Sequence, residues 1–311
     1  MTDGQFGIAP GAGNGGDHNG SYPGSRRDCS PPKGTLQASG MRALAPGAPG
    51  GYRSHMDARV KTDSTMAAAE GRPEFSVVLP VRNEAENVEK LVREIVAAVS
   101  GRAYEIIFVD DASQDDTRAR LFTLKSQVPT LRVLGHRKNA GQSRAVRTGV
   151  MAARSNIIVT LDGDGQNDPA DIPGMLSQLN RQDAPGDLAL VQGRRAKRID
   201  SGWKKMGSRW ANSVRRSILK DQNSDSGCGM RAFRRDAFLQ LPYFDHMHRY
   251  LPALMMSDGL LVEERPVGHR AREHGRSNYT NFGRLAVAIS DMRGVMWLRK
   301  RRRSPGGVDE I

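Results

Sequence analysis

The chain has 311 residues, a formal net charge of +13 at pH 7 and a hydrophobic fraction of 38%. Its two cysteines, Cys29 and Cys228, are too far apart and too isolated from other metal ligands for a disulfide framework or a zinc site. We therefore expect a reducing, cytoplasmic setting. The excess of positive charge predicts a polyanionic partner, which is nucleic acid, an acidic membrane surface or a phosphorylated substrate.

The first segment, residues 1–72, holds 14 of the 34 glycines and shows no apolar periodicity, so we expect it to be disordered. Its "GAGNGG" at 11–16 imitates a dinucleotide fingerprint, but no strand precedes it and no helix follows. It also lacks the apolar core of a secretory signal peptide. After it we expect a catalytic domain over 73–281, a basic amphipathic helix over 282–303 and a tail at 304–311.

Strands and helices alternate through the first half of the predicted domain. Continuous apolar runs predict the strands, and apolar residues three and four apart predict the helices. This alternation predicts right-handed crossovers and a largely parallel α/β sheet with helices on both faces. The predicted strands are 75–80, 104–111, 131–135 and 156–162, and the predicted helices are 88–99, 115–127, 141–153 and one that opens at 168–172.

Acidic residues follow three of these strands. Glu84 comes after the first, Asp111 after the second, and Asp162 and Asp164 after the fourth. Ligands of open α/β sheets bind at the carboxyl ends of the strands, so we expect these side chains to share one site.

The stretch "DGDGQ" (162–166) has the composition of a site for a hard divalent cation. Mg²⁺ typically takes one or two carboxylates together with substrate phosphates, and Gln166 adds a neutral oxygen. Gln166 and Asn167 occupy positions that an EF-hand loop needs for a ligand and a glycine, so that kind of site is excluded. The alternative is a solvated acidic turn, in which Asp168 serves as a helix N-cap.

Seven motifs in order resemble the inverting family 2 glycosyltransferases of GT-A fold, over residues 74–298. The last three resemble the branch that contains dolichol-phosphate mannose synthase and bacterial polyprenyl-phosphate glycosyltransferases. Arg82 stands where that family frequently has an aromatic residue. The motifs are "PVRNE" (80–84), "VDDASQDDT" (109–117), "NAGQSRAVRTG" (139–149), "DGDGQ" (162–166), "QGRR" (192–195), "DSGCGMRAFRRD" (225–236) and "REHGRSNY" (272–279).

The resemblance implies a role for each matching residue. The catalytic residues would be Asp162, Asp164 and Arg272, and Mg²⁺ or Mn²⁺ would lie on Asp162, Asp164 and Gln166. The acceptor phosphate would contact Arg195, Ser208, Arg272 and Ser277. The nucleotide sugar would contact Pro80, Arg82, Glu84, Val109, Asp111, Asp162, Gly163, Asp164, Arg195, Arg272 and Asn278.

The implied reaction moves a hexosyl group from GDP-mannose or a UDP-hexose to a polyprenyl phosphate, whose anionic oxygen needs no general base. One alternative is transfer to a sugar hydroxyl, which would need a base such as Asp225; "MGSRW" (206–210) lacks the glutamine of processive synthases. A remote alternative is a nucleic-acid-binding protein. Only 5% of the residues are aromatic and no nucleic-acid-binding motif is present, so we expect no nucleic-acid partner.

The end of the chain predicts a helix with two possible roles. The basic run "RKRRR" (299–303) follows Trp297, which suits a helix lying in a membrane interface. The other possibility is a helix packed on the core with a solvated basic tail. No uncharged apolar run is long enough to cross a bilayer, so we expect a peripheral protein at the inner face of the cytoplasmic membrane. The residues predicted to share its apolar face are Leu285, Ile289, Met292 and Met296.

Overall fold

The structure is a computed structural model and describes residues 71–196, 224–225, 227–271 and 281–303, without the side chains of 281–286. The predicted C-terminal tail and all but the last two residues of the predicted N-terminal tail lie outside these ranges.

The described residues form one mixed sheet of seven strands in the order β3-β2-β1-β4-β6-β5-β7. β1 to β4 run parallel to one another, and β7 is parallel to β5. β6 is antiparallel to both β4 and β5, so the sheet is mostly parallel, as predicted. The strands are β1 (Phe75–Val81), β2 (Tyr104–Asp110), β3 (Leu131–Gly135), β4 (Ile157–Thr160), β5 (Leu188–Arg195), β6 (Arg231–Arg234) and β7 (Leu261–Val267).

Helices flank this sheet, and the strand–helix alternation predicted up to the fourth helix is confirmed. α2 begins two residues later than predicted, because the Asp115 side chain accepts a hydrogen bond from the Thr117 amide (3.0 Å) ahead of the first turn. The predicted cap is also present, since Asp168 accepts from the Ala170 amide (3.0 Å). The helices are α1 (Ala85–Ala98), α2 (Thr117–Gln127), α3 (Gln142–Ala152), α4 (Ile172–Leu179), α5 (Arg235–Gln240), α6 (Leu251–Ser257) and α7 (Asn281–Arg301), with short 3₁₀ turns at Pro169–Asp171 and Met247–Arg249.

Two apolar clusters fill the space on either side of the sheet. Val77 and Leu79 of β1 face the cluster that includes α1, α2 and α4, whereas Val78 faces the cluster with α3, α5 and α6. A strand buried on both faces reads as a continuous apolar run, which is why β1 was recognisable from sequence. α3 lies directly on the sheet at Gly149, where a Cβ would come within 2.4 Å of Val78 Cγ1.

α7 packs on the core along one side only. Val295 is buried and Met292 is partly buried in the second cluster, and the Tyr250 hydroxyl donates to the Ala288 carbonyl (3.2 Å). Ile289 and Met296 are exposed, whereas Met292 of the same predicted apolar face is partly buried, so the core covers that face only in part and the amphipathic character of the helix stays a prediction. In the part of the chain that the structure describes, no helix combines the length and apolar character needed to span a bilayer.

Candidate functional site

The loops that follow β1 and β2 are fastened to each other at the carboxyl edge of the sheet. The Glu84 amide donates to Thr117 Oγ1 (2.8 Å), and the Gln114 amide donates to Asn83 Oδ1 (2.8 Å). Pro80 and Val109 are register partners on the adjacent strands, so both predicted nucleotide contacts lie at one level of this edge. The predicted contacts Pro80, Glu84 and Val109 are thereby brought together.

Both loops contain a residue in the left-handed backbone region. Asn83 has φ 56° and Ala112 has φ 57°, and neither is a glycine. Such conformations cost free energy and are held only where the surrounding contacts fix them. The cross-bonds between the loops supply those contacts. Arg82, next to Asn83, is exposed at the rim of the same loop.

Asp111 is buried and organises the approach to α3. Its carboxylate accepts from the amides of Ala140 and Gly141 (2.8 Å each) and lies 2.7 Å from His136 Nδ1. Gly141 adopts φ 85°, which lets the chain turn into the helix. Asp111 thus holds the loop before α3, and a direct contact to a nucleotide stays a prediction.

Asp162 and Asp164 lie beyond the carboxyl end of β4. Asp162 is partly buried, and its Oδ1 accepts from Gln142 Nε2 (2.8 Å) at the start of α3. Burial, and then the charge of Asp164, raise the pKa of Asp162 to about 6, although Arg231, Gln142 and Arg195 act in the opposite direction. A bound cation would relieve this like-charge contact.

The backbone of this acidic loop is shaped by its neighbours. Gly163 passes so close to β1 that a Cβ would lie 2.4 Å from Val81 Cγ1. The Asp162 amide donates to Asn167 Oδ1 (3.0 Å), and the Gln166 amide donates to Asp164 Oδ1 (3.2 Å). Within the loop, the Asp164 carboxylate and the Asp162 backbone are therefore each held by one hydrogen bond, and the Asp162 carboxylate is held by Gln142 of α3.

Two residues of the "DSGCGMRAFRRD" motif lie behind Asp162, and sequence reasoning gave neither of them a role. A Cβ on Gly229 would lie 2.1 Å from Asp162 Oδ2, so the carboxylate occupies the space of a side chain. Arg231 is buried, donates from Nε to Gln192 Oε1 (2.9 Å), and has a pKa lowered by burial. The motif itself was the only signal in the sequence, and it does not reveal that β6 pairs with β4.

Arg195 and Asp225 form a bidentate ion pair at the end of β5. Arg195 Nε and Nη2 donate to the two carboxylate oxygens of Asp225 at 2.7 Å each. Arg195 still acts on Asp162 through its charge, and its predicted contact with a phosphate stays a prediction. The other predicted phosphate and nucleotide contacts, Ser208, Arg272, Ser277 and Asn278, lie outside the described residues.

The acidic loop fits a cation that is shared with a ligand. Within residues 71–196, 224–225, 227–271 and 281–303, no group of three or more His, Cys, Asp or Glu side chains could enclose a metal ion. Two adjacent carboxylates, one of them with a raised pKa, are the donor set that Mg²⁺ or Mn²⁺ uses when phosphates complete its coordination. The residues present therefore fit such an ion.

Comparisons with known proteins agree with this geometry. A family profile described as "Glycosyl transferase family 2" matches residues 76–241. The dodecaprenyl-phosphate galacturonate synthase of Rhizobium johnstonii is 35% identical over 240 residues, which cover 75% of this chain and 69% of that protein. An undecaprenyl-phosphate 4-deoxy-4-formamido-L-arabinose transferase of Edwardsiella ictaluri is 32% identical over 209 residues, 66% of this chain and 62% of that protein.

A solved structure has the same fold. Glucosyl-3-phosphoglycerate synthase from Mycobacterium tuberculosis, crystallised with Mn²⁺, UDP and glucosyl-3-phosphoglycerate, superposes with a TM-score of 0.55. It shares 20% sequence identity, and the superposition covers 78% of this chain and 85% of that one. The GT-A fold predicted from the motifs is confirmed, and the chain belongs to glycosyl transferase family 2.

Proposed function

We propose that this glycosyltransferase moves a glycosyl group from a nucleotide-diphosphate sugar, GDP-mannose or a UDP-hexose, to a polyprenyl phosphate. The observation that carries the proposal is the pair Asp162 and Asp164 beside the clamped loops after β1 and β2, where burial and then the charge of Asp164 raise the pKa of Asp162 to about 6. Two relatives are named for dodecaprenyl or undecaprenyl phosphate, which supports this class of acceptor.

Each part of the site has a role with the donor. The loops after β1 and β2 would hold the nucleotide, and Asp162 and Asp164, with Gln166, would hold Mg²⁺ or Mn²⁺. When bound, the ion would stabilise the negative charge that develops on the departing diphosphate. Gln142 orients Asp162 through its 2.8 Å hydrogen bond, and the buried charge of Arg231 favours the ionised carboxylate.

The state of Asp225 favours a phosphate acceptor over a sugar hydroxyl. A hydroxyl must lose a proton, and Asp225 was the candidate base. Both of its carboxylate oxygens accept from Arg195, and a guanidinium partner makes a carboxylate a weaker base. A phosphate monoester is anionic at neutral pH and needs no such base, so the chain's own residues have to bind and orient it rather than deprotonate it.

The outer face of α7 suits an acidic membrane surface, where a polyprenyl phosphate resides. Ile289, Met296 and Trp297 are exposed on the side away from Val295, and Arg293 and Lys300 lie among them. An apolar face with an aromatic residue and interspersed basic residues binds the headgroup region of anionic bilayers. We place the enzyme peripherally at the inner face of the cytoplasmic membrane.

A donor screen tests the proposal directly. Purified full-length chain is incubated with Mn²⁺ or Mg²⁺, a short polyprenyl phosphate and each of a set of UDP- and GDP-sugars, and the glycolipid and released nucleotide are measured. Asp164→Ala should reduce transfer by roughly 100-fold or more. The control is Asp183→Ala, because the Asp183 side chain is 86% exposed and pairs with Arg181, which makes no contact with the acidic loop. Full activity of the Asp164 variant would contradict the assignment.

A further inference from the structure

The segment after β7 lies along the acidic loop. The Arg270 amide donates to the Gln166 carbonyl (2.9 Å), and Asn167 and His269 form an isolated antiparallel bridge. We call residues 268–271 the bracing segment. It gives the acidic loop a backbone partner at Gln166 and Asn167, in addition to the contact of Gly163 with β1.

The Arg270 side chain extends this contact to two other elements. Nη1 donates to both carboxylate oxygens of Glu94 in α1 (2.8 Å each), and Nη2 donates to Asp168 Oδ1 (2.8 Å). A guanidinium can hold two carboxylates at once because its donors are fixed in a planar fork, which an ammonium group lacks. One side chain therefore joins α1, the end of the acidic loop and the bracing segment.

The contacts of the bracing segment lead back to the Asp164 carboxylate and to the Asp162 backbone. Gln166, whose carbonyl accepts from Arg270, donates its own amide to Asp164. Asn167, bridged to His269, accepts from the Asp162 amide. The bracing segment continues directly into Arg272, the predicted phosphate contact.

We infer that Arg270 is a positioning residue for glycosyl transfer. It holds the acidic loop against α1 and the bracing segment, so that Asp162 and Asp164 keep a fixed position toward the donor diphosphate. Its guanidinium is engaged by Glu94 and Asp168, so it acts through the loop and not on the substrate. The inference rests on the proposed function of the loop.

A matched ion pair elsewhere separates positioning from plain stabilisation. Arg181 donates to both carboxylate oxygens of Glu263 (2.7 and 2.9 Å), and its side chain is 30% exposed against 33% for Arg270. This pair joins the end of α4 to β7 and does not touch the acidic loop. Partly exposed pairs of this kind contribute little to stability, so Arg181→Ala and Arg270→Ala should lower the melting temperature by similar amounts.

Hydrogen–deuterium exchange of the metal-free full chain is the first readout. Arg270→Ala should speed exchange in peptides that cover 161–171 and 266–271, because the loop loses its brace. Arg181→Ala should leave the 161–171 peptides unchanged. Equal exchange of these peptides in Arg270→Ala and in the wild type overturns the inference.

The second readout is the Mn²⁺ concentration that gives half-maximal transfer. Substitution of a residue that holds metal ligands in place typically weakens metal affinity tenfold or more. Arg270→Ala should therefore raise this Mn²⁺ concentration by roughly tenfold. Turnover at saturating Mn²⁺ should fall less. The Mn²⁺ requirement of Arg270→Lys should lie between those of the wild type and Arg270→Ala, because the lysine ammonium can keep one of the two carboxylate partners. A Mn²⁺ requirement equal to that of Arg181→Ala overturns the inference.

Two further outcomes are distinguishable. If Arg270→Ala does not fold, Glu94→Gln carries the same test, because it weakens the brace from α1 without touching the loop. If the wild type transfers no sugar from any donor, the proposed function fails, whereas the exchange experiment still decides whether Arg270 holds the loop.

Discussion

Two carboxylates at opposite edges of the sheet have opposite electrostatic surroundings. Glu105, near the amino end of β2, is buried and accepts from Ser76 Oγ, the Arg154 amide and Arg132 Nη1, each at 2.6 Å. Asp162 lies beyond the carboxyl end of β4, and burial, together with the charge of the neighbouring Asp164, raises its pKa to about 6. The first charge is neutralised by the fold itself, and the second is kept in a place where ionisation is unfavourable.

This difference is the one expected between a structural carboxylate and a carboxylate that binds a cation. A buried carboxylate surrounded by donors and a guanidinium stabilises the chain only as part of that set. A carboxylate beside a like charge destabilises the metal-free protein and gains when a cation arrives. On the proposed function, the amino edge of the sheet serves the fold, and the carboxyl edge gives up stability for binding.

The substitution expected to change the free energy of unfolding most is Glu105→Ala. The change leaves the Ser76 hydroxyl, the Arg154 amide and the Arg132 guanidinium without their shared acceptor, and loss of one partner of a buried ion pair typically costs about 3–5 kcal/mol. Urea unfolding should show a loss of this size, with unchanged turnover per folded molecule. A loss under about 1 kcal/mol would mean that Glu105 is not a structural acid.

The next effect should have the opposite sign. Asp162→Asn removes a charge whose folded-state pKa, about 6, exceeds the ordinary 3.8, so it should stabilise the metal-free protein at pH 7.5 by about 1–3 kcal/mol. A raised folded pKa means that the wild type gains stability as pH falls from 6 towards 4. The advantage of the variant should therefore shrink over that window.

The measurement for Asp162→Asn is urea unfolding with EDTA at pH 7.5 and 4.5. The exposed Asp183→Asn serves as the control and should change little at either pH. A destabilised Asp162 variant at pH 7.5 would show that its carboxylate is a structural group like Glu105.

His248 supplies a buried base whose pH dependence runs the other way. It is buried near Arg231, its Nδ1 lies 2.7 Å from Ser143 Oγ, and burial holds its pKa well below the ordinary 6.5. The neutral ring is thus favoured in the fold, and its contribution is present above pH 6.5 and is lost as pH falls below that value. His248→Gln should lower the free energy of unfolding by about 1–2 kcal/mol at pH 7.5, and by progressively less as the pH falls to 5.

Thermal unfolding of the His248 variant and the wild type between pH 7.5 and 5 measures this difference. His246→Gln, at a partly exposed neighbour in the same turn, controls for a change of ring to amide. A difference that grows as the pH falls would contradict a neutral His248.

The part of the fold that could be predicted from the sequence, β1 to β4 and the acidic loop, is the part set by residues that are close together in the chain. β3 was predicted with its observed bounds, 131–135, and the apolar runs of β1, β2 and β4 identified the parallel strands. The acidic loop was found because Asp162 and Asp164 follow a strand directly. In each of these cases the residues that set the structure are neighbours along the chain.

The remaining features depend on contacts between distant residues. β6 has only four residues, "RAFR", and its place between β4 and β5 depends on pairing that no local pattern encodes. The partners Arg195 and Asp225 are 30 residues apart in the chain. Arg231 comes close to Asp162 only because β6 pairs with β4. On α7, spacing alone could not tell which apolar residues meet the core, because apolar residues lie on both sides of the helix.

The smallest effect concerns strain at the carboxyl edge. Ala112 is held at φ 57°, a conformation that costs a residue with a Cβ about 1–2 kcal/mol relative to glycine. Ala112→Gly should remove this strain, but glycine is also more flexible in the unfolded state, which offsets part of the gain. The net increase in the free energy of unfolding should be about 0.5–1 kcal/mol. The same substitution at Ala119, exposed within α2, should destabilise by a similar amount because the helix loses its best residue. Chemical unfolding of the two variants tests this difference in sign, and destabilisation by both would show that the loop after β2 is not strained.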